Sequence, residues 1–386
     1  MQTKIRRYDL DWLRVIVFGL LIFYHVGMFF VPWEWHIKNN TIYSWLQWPM
    51  LFLNQWRLPI LFVISGMGTY YAFGKRTVRQ FNWERFKRLG IPLIFGILFI
   101  VPPQIYFERL ANDQFIGSYW GFFTTVARDG IYPEGNFSWH HLWFLPYLLI
   151  FSWVLSPIFL RIRKNPGKFV QWIKRFVAKP LGLYWFILPL YLWESLVEPF
   201  FDITHDLIRD WFAIINYSTL FFYGFVLISL GDTFWESVEK IKRKALIIGS
   251  VCFVGLMICW QFEDGYTRHF TEALLKVVNL WSWILVLFAY ASQYLNRPSK
   301  TLAYANRAVY PFYILHQTVT IAIGYYLMNL DWGFIPKAII LVVGTFGISW
   351  LIYDLIILRI PLLHPLFGLK KPKAVSKSKL YRFPDI

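Results

Sequence analysis

Long apolar runs separated by short polar segments fill almost the whole chain. Ten of them read as membrane spans, at about 12–31, 50–74, 90–108, 142–160, 181–199, 212–231, 245–262, 272–292, 303–328 and 335–358. Several are interrupted by proline or glycine, which spanning helices tolerate because neighbouring helices satisfy the freed backbone groups. The pattern predicts an all-α, polytopic membrane protein with about ten transmembrane helices. The first run is too long for the apolar core of a signal peptide and lacks a small-x-small cleavage site, so it reads as a retained signal-anchor. Residues 1–368 are expected to form one integral-membrane domain. Residues 369–386 read as a basic cytoplasmic tail, disordered against the inner leaflet.

Composition agrees with this reading. The chain is 57% hydrophobic and 16% charged, where a soluble enzyme carries about 25% charged residues. Its net charge of +17 resembles a nucleic-acid signature only until the positions are read. Basic residues fall between the apolar runs, without a basic stripe or a reader motif, which argues against nucleic acid. With the N-terminus inside, 30 of the 39 basic residues lie on inward-facing segments. Both termini are therefore expected in the cytoplasm, with the chain a multi-pass protein of the plasma or inner membrane and the lipid bilayer as its solvent. The outward loops are acidic and aromatic, as in Trp33-Glu34-Trp35-His36 and Glu194 to Asp210. Such tryptophans suit both the interface and the flat faces of sugar rings. Cys252 and Cys259 would stand roughly 10 Å apart on a helix, too far for a disulfide.

Ionisable groups inside apolar runs are costly and mark candidate chemistry. Arg14 and His25 share the first run. Eleven residues are about three helical turns, so both face the same way, roughly 16 Å apart along the axis. Asp11 stands three residues before Arg14 and is placed to pair with it. His25 has the titration range of a general base. Arg85 and Arg88, before the third run, form two forks suited to phosphate or to lipid headgroups. Arg57 lies in the outer part of the second run, placed to stabilise developing negative charge. Ser65-Gly66 below it brings a hydroxyl and close backbone approach. His140, His141 and Trp143 open the fourth run. The two histidines point about 100° apart on a helix, and no cysteine or carboxylate stands beside them at ligand spacing, so no metal is expected. His316-Gln317 lies within the ninth run. No Walker A, dinucleotide, zincin or GxSxG motif is present.

Arg14-x10-His25, Arg57-Leu-Pro-x4-Ile-Ser-Gly, Arg85-x-x-Arg88, His141-Leu-Trp-Phe-Leu and Tyr313-Ile-Leu-His316 together resemble the membrane acyltransferase-3 family. Trp35-His36, Arg88-Leu-Gly-Ile-Pro92 and Tyr353-Asp354-x4-Arg359-Ile-Pro-Leu-Leu363 resemble its glucan-succinylating branch. The resemblance implies transfer of an acyl group from cytoplasmic acyl-CoA to a hydroxyl of an extracytoplasmic carbohydrate. It implies roles for Arg14, His25, Arg85 and Arg88. Members often carry His-His in the ninth span, where this chain has His316-Gln317.

The resulting expectation is an O-acyltransferase with acyl-CoA as co-substrate and no permanently bound cofactor. His25 would act as base, with an acyl-histidine intermediate as the alternative that sequence does not separate, and Arg57 would hold the oxyanion or, for a succinyl donor, the free carboxylate. His316 belongs to the same catalytic group. Arg85, Arg88, Arg14 and Ser65 would receive the donor, and Trp35, His36, His140, His141 and Trp143 the acceptor. The competing reading is a proton-coupled secondary transporter with His25 as relay. Such proteins commonly carry internal repeats, and none is evident here. No feature of the sequence specifies an oligomeric state.

Overall fold

The computed structural model describes residues 6–370. The expected tail, from Lys371 onward, lies outside them. Helix α1 is Tyr8–Met28 and α2 is Gln47–Phe73. Helices α3 (Val78–Arg85), α4 (Ile91–Phe95) and α5 (Pro102–Ala111) are linked by π turns at Phe86–Gly90 and Gly96–Ile100. A loop holding α6 (Tyr119–Thr125) leads to a 3-10 turn, His140–Trp143, and then to α7, Phe144–Lys164. There follow α8 (Gly167–Val177), α9 (Ile187–Leu196), α10 (Trp211–Ser229), α11 (Asp232–Cys259), α12 (Tyr266–Tyr294), α13 (Lys300–Leu327) and α14 (Phe334–Leu351). Among the described residues there is no strand, only an isolated bridge between Ile131 and Phe137.

A helix occupies each of the ten expected positions, and seven are long and apolar enough to cross a membrane. The other three differ for visible reasons. Helix α9 has 10 residues. The first half of α11 carries Lys240, Lys242, Arg243 and Lys244, and α13 carries Arg307, His316 and Gln317. Boundaries also moved. Helix α1 starts at Tyr8 because Asp9 and Asp11 suit the positive end of the helix dipole, which hydropathy does not register. The third helical stretch begins at Val78, held by a Thr77–Gln80 capping box. Arg85 and Arg88 therefore lie within it rather than ahead of it.

Helix α2 runs through the middle, against α1, α7, α10 and α12. Glycines let α2 and α10 touch backbone to backbone. A Cβ on Gly66 would stand 2.0 Å from the Phe221 carbonyl oxygen, and one on Gly224 1.9 Å from that of Val63. Helix α13 packs on α1, α5 and α14. Outward faces remain apolar, for example Ile247, Val251, Ile258, Ile339 and Val343. Such faces suit lipid rather than water. Helix α8 is amphipathic: Val170, Ile173 and Val177 are buried while Lys168, Lys174 and Arg175 face outward.

Candidate active site

Two cavities line up along α1. The first, about 530 Å³, sits at the N-terminal end of the helix. Arg6, Arg7, Arg14, Arg85 and Arg88 all reach its wall, with Ser65, Asn306 and Tyr310 between them. Arg14 is held by Asp11 Oδ1 at 3.3 Å and Asn306 Oδ1 at 3.2 Å. Arg6 grips the other oxygen of Asp11 at 2.8 Å, so the single carboxylate is shared between two arginines. Arg85 Nη2 donates to Thr69 Oγ1, which donates in turn to the Ser65 carbonyl at 2.9 Å. The π turn after Arg85 widens the helix by one residue and carries both Arg85 and Arg88 to the same wall. The chemistry of a guanidinium-rich concavity of this kind suits phosphate groups.

The second cavity, about 200 Å³, lies at the C-terminal end of α1. His25, Arg57, His141 and Trp143 line it, together with Tyr24, Asn54 and His205. Phe18, Phe144 and Tyr313 line both cavities and form the aromatic neck between them. Thus Arg14 and His25, eleven residues apart, line two neighbouring spaces from one helix.

His25 Nδ1 lies 2.8 Å from His316 Nε2, with the rings 2° from parallel. His316 Nδ1 stands 2.7 Å from the Tyr313 carbonyl oxygen. A carbonyl only accepts, so Nδ1 of His316 carries the proton and its Nε2 accepts from His25 Nδ1. The basic lone pair of His25 is thereby assigned to Nε2. His141 is fixed by the same logic. Its Nε2 faces the Ile314 carbonyl at 3.1 Å and its Nδ1 receives the Gln104 amide at 3.3 Å. Gln104 also donates to Thr318 Oγ1 at 2.7 Å and accepts from Gln317 at 3.1 Å.

Arg57 is buried, its guanidinium 3.6 Å from the centre of the Tyr24 ring. Its Nε and Nη1 have no hydrogen-bond partner among the described residues. Buried charged donors are normally paired, and the guanidinium beside His25 is chemically suited to an anion. His205 closes the same cavity, its ring stacked 3.8 Å from that of Trp143. The loop carrying it is tied down through Asp210, which accepts from Tyr147 and from the backbone of Thr204 and His205.

The acceptor residues expected from sequence split into two groups. His141 and Trp143 reach the His25 cavity; Trp35 stands over the His25 ring at 6.5 Å. His36 and His140 pair with each other beside Glu108. Sequence reading missed Tyr24, His205, Gln104 and Glu108. The last carried a signal, being an ionisable residue at the end of an apolar run; His205 carried none, since only folding lays its loop over the cavity.

A family model described as an acyltransferase domain matches residues 7–354. This chain belongs to the acyltransferase-3 family. Relatives in the same family include the glucans biosynthesis protein C of Escherichia coli K12, 26% identical over 377 residues and covering 94% of both chains. The protein of that name from Shigella dysenteriae serotype 1 is 26% identical over 379 residues, again 94% of both chains. No solved structure matches the chain. Membership makes it an acyltransferase, and its apolar helices fit a multi-pass membrane protein.

Proposed function

We propose that this protein moves an acyl group, acetyl or succinyl, from cytoplasmic acyl-CoA to a hydroxyl of an extracytoplasmic glycan. The observation that carries this reading is the pair of cavities on α1, one rich in arginine and one holding His25, joined by Phe18, Phe144 and Tyr313. The family supports acyl transfer, and the names of the relatives support a glucan acceptor. All ten helices cross the inner membrane in this proposal, with both termini inside, because that arrangement puts most lysines and arginines on the cytoplasmic side. The arginine cavity then opens inward and the His25 cavity outward.

Arg85 and Arg88, with Arg14, hold the phosphates of the donor, and the pantetheine arm passes Ser65 and the aromatic neck. The thioester carbonyl stops beside His25. Nε2 of His25 takes the proton of the acceptor hydroxyl as its oxygen bonds to the carbonyl carbon. The carbon–sulfur bond breaks, and the leaving thiolate takes the proton from His25. His316, through Nδ1 of His25, stabilises the imidazolium formed between these steps. Arg57 faces the reacting carbonyl, where it holds the oxyanion; with a succinyl donor it holds the terminal carboxylate instead. Trp35, His36, His140, His141 and Trp143 receive the sugar.

The decisive experiment uses proteoliposomes with acyl-labelled CoA on the arginine side and an oligoglucoside on the other. Free CoA and acylated sugar, both dependent on the acceptor, are expected. Translocation of a solute with intact thioester would replace this reading by the transporter.

A further inference from the structure

His36, Glu108 and His140 come from the loop after α1, from α5 and from the turn before α7. One donor atom of each lies within 4.8 Å of the other two. His36 Nδ1 is hydrogen-bonded to Glu108 Oε2, and His36 Nε2 stands 3.2 Å from His140 Nδ1. The two imidazoles stack with centres 4.5 Å apart. Ligands on one ion with bonds of about 2.0–2.1 Å are separated by roughly 3.0–3.4 Å, so the nitrogens already have ligand spacing.

Nε2 of His140 is buried and has no hydrogen-bond partner among the described residues. The ring reaches this position because His140 adopts φ +40°, a strained value for a residue with a side chain. That turn separates it from His141, which points into the other network. The surrounding residues orient the three candidates. Gln317 Nε2 lies 3.1 Å from His36 Nε2. Arg109 Nη1 lies 4.0 Å from Glu108 Oε1, while Oε2 is the oxygen bonded to His36. Arg109 is itself anchored on the Pro133 and Gly135 carbonyls and on Asn136. Its charge is thus drawn toward that loop.

We propose that His36, Glu108 and His140 bind a first-row divalent cation, with zinc the best match to two imidazoles and one carboxylate. The cation takes up lone pairs that these three side chains hold within a small volume. It staples the loop after α1, α5 and the turn before α7 into one rim beside the His25 cavity. The remaining coordination position takes water or a hydroxyl of a bound sugar. The site does not depend on the acyl-transfer reading.

Tag-free full-length protein in detergent, stripped with chelator, reloaded with zinc or cobalt and freed of excess by gel filtration, tests it. Elemental analysis is expected to find about one equivalent per chain. Glu108→Gln and His140→Ala are each expected to lower retained zinc roughly tenfold or more, while His269→Ala, outside the cluster, retains it. Cobalt-loaded wild type is expected to show the visible absorption of a four- or five-coordinate ion. This readout needs no variant and stands even where a substitution prevents folding. A wild type that retains no ion and gives no cobalt spectrum overturns the proposal. So do Glu108→Gln and His140→Ala proteins that retain as much metal as wild type.

Discussion

The imidazoles of His25 and His316 meet at 2.8 Å and lie within 2° of parallel, one from α1 and one from α13. Because the Tyr313 carbonyl fixes the outer end of the pair, the tautomer of His25 is decided by a backbone atom 288 positions away in sequence. His25→Ala is expected to insert and fold but to lose about 10²–10⁴-fold in transfer rate, the usual share of a general base. His316→Ala is expected to lose less, roughly 10–100-fold, in kcat with donor KM unchanged. The double variant should be no slower than His25→Ala, since the second residue acts through the first. Release of free CoA from labelled donor measures all three. Additive losses would separate the two histidines.

Arg85 and Arg88 share the wall of the larger cavity with Arg14. A hydrogen bond to a charged group contributes about 1.5–3 kcal/mol. Arg85→Ala and Arg88→Ala are each expected to raise the donor KM at least about tenfold while the acceptor KM stays fixed. Titration of the purified protein with CoA gives the same information without turnover, and unchanged CoA affinity would count against phosphate recognition at this wall.

Arg57 sets stability against activity. Its Nε and Nη1, without a partner among the described residues, cost desolvation energy in the folded protein, offset in part by the Tyr24 ring. Arg57→Met is expected to leave stability equal or raise it by about 1 kcal/mol, while transfer falls roughly 100-fold. Thermal unfolding in detergent beside the transfer assay checks both. A parallel loss of stability and activity would make Arg57 a structural residue.

Burial holds the His205 imidazole down at about 4, against an ordinary 6.5. Between these values the unfolded chain binds a proton that the folded protein does not. Stability therefore rises with pH across this window and falls as the medium is acidified from about 6.5 toward 4. His205→Phe keeps the stack on Trp143 without the titrating group. Its unfolding midpoint is expected to depend less on pH over this range than that of wild type. Identical pH profiles would show that other groups control acid stability.

The helices were legible because hydropathy is a local property. Every apolar run became a helix, and the pairing of Arg14 with Asp11 follows from a spacing of three residues. Boundaries were less legible, since the capping box at Thr77 rests on side-chain-to-backbone hydrogen bonds and the π turn after Arg85 on backbone ones, neither of which hydropathy registers. Adjacent histidines show the limit most clearly. His140 and His141 were expected to share the acceptor role, yet one joins Glu108 and His36 and the other joins Gln104 and Ile314.

The sequence by itself determined an all-helical, lipid-facing chain, the family it belongs to, and a cation and an imidazole on one face of α1. It did so because apolar length, charge and helical period are written along the chain. Only the tertiary structure decided which groups meet across helices: His316 behind His25, Arg57 beside it, His205 over the cavity, and Glu108 against His36, which in turn meets His140. Hydrogen bonds of about 3 Å between residues on different helices depend on how those helices pack, and no local pattern encodes that distance.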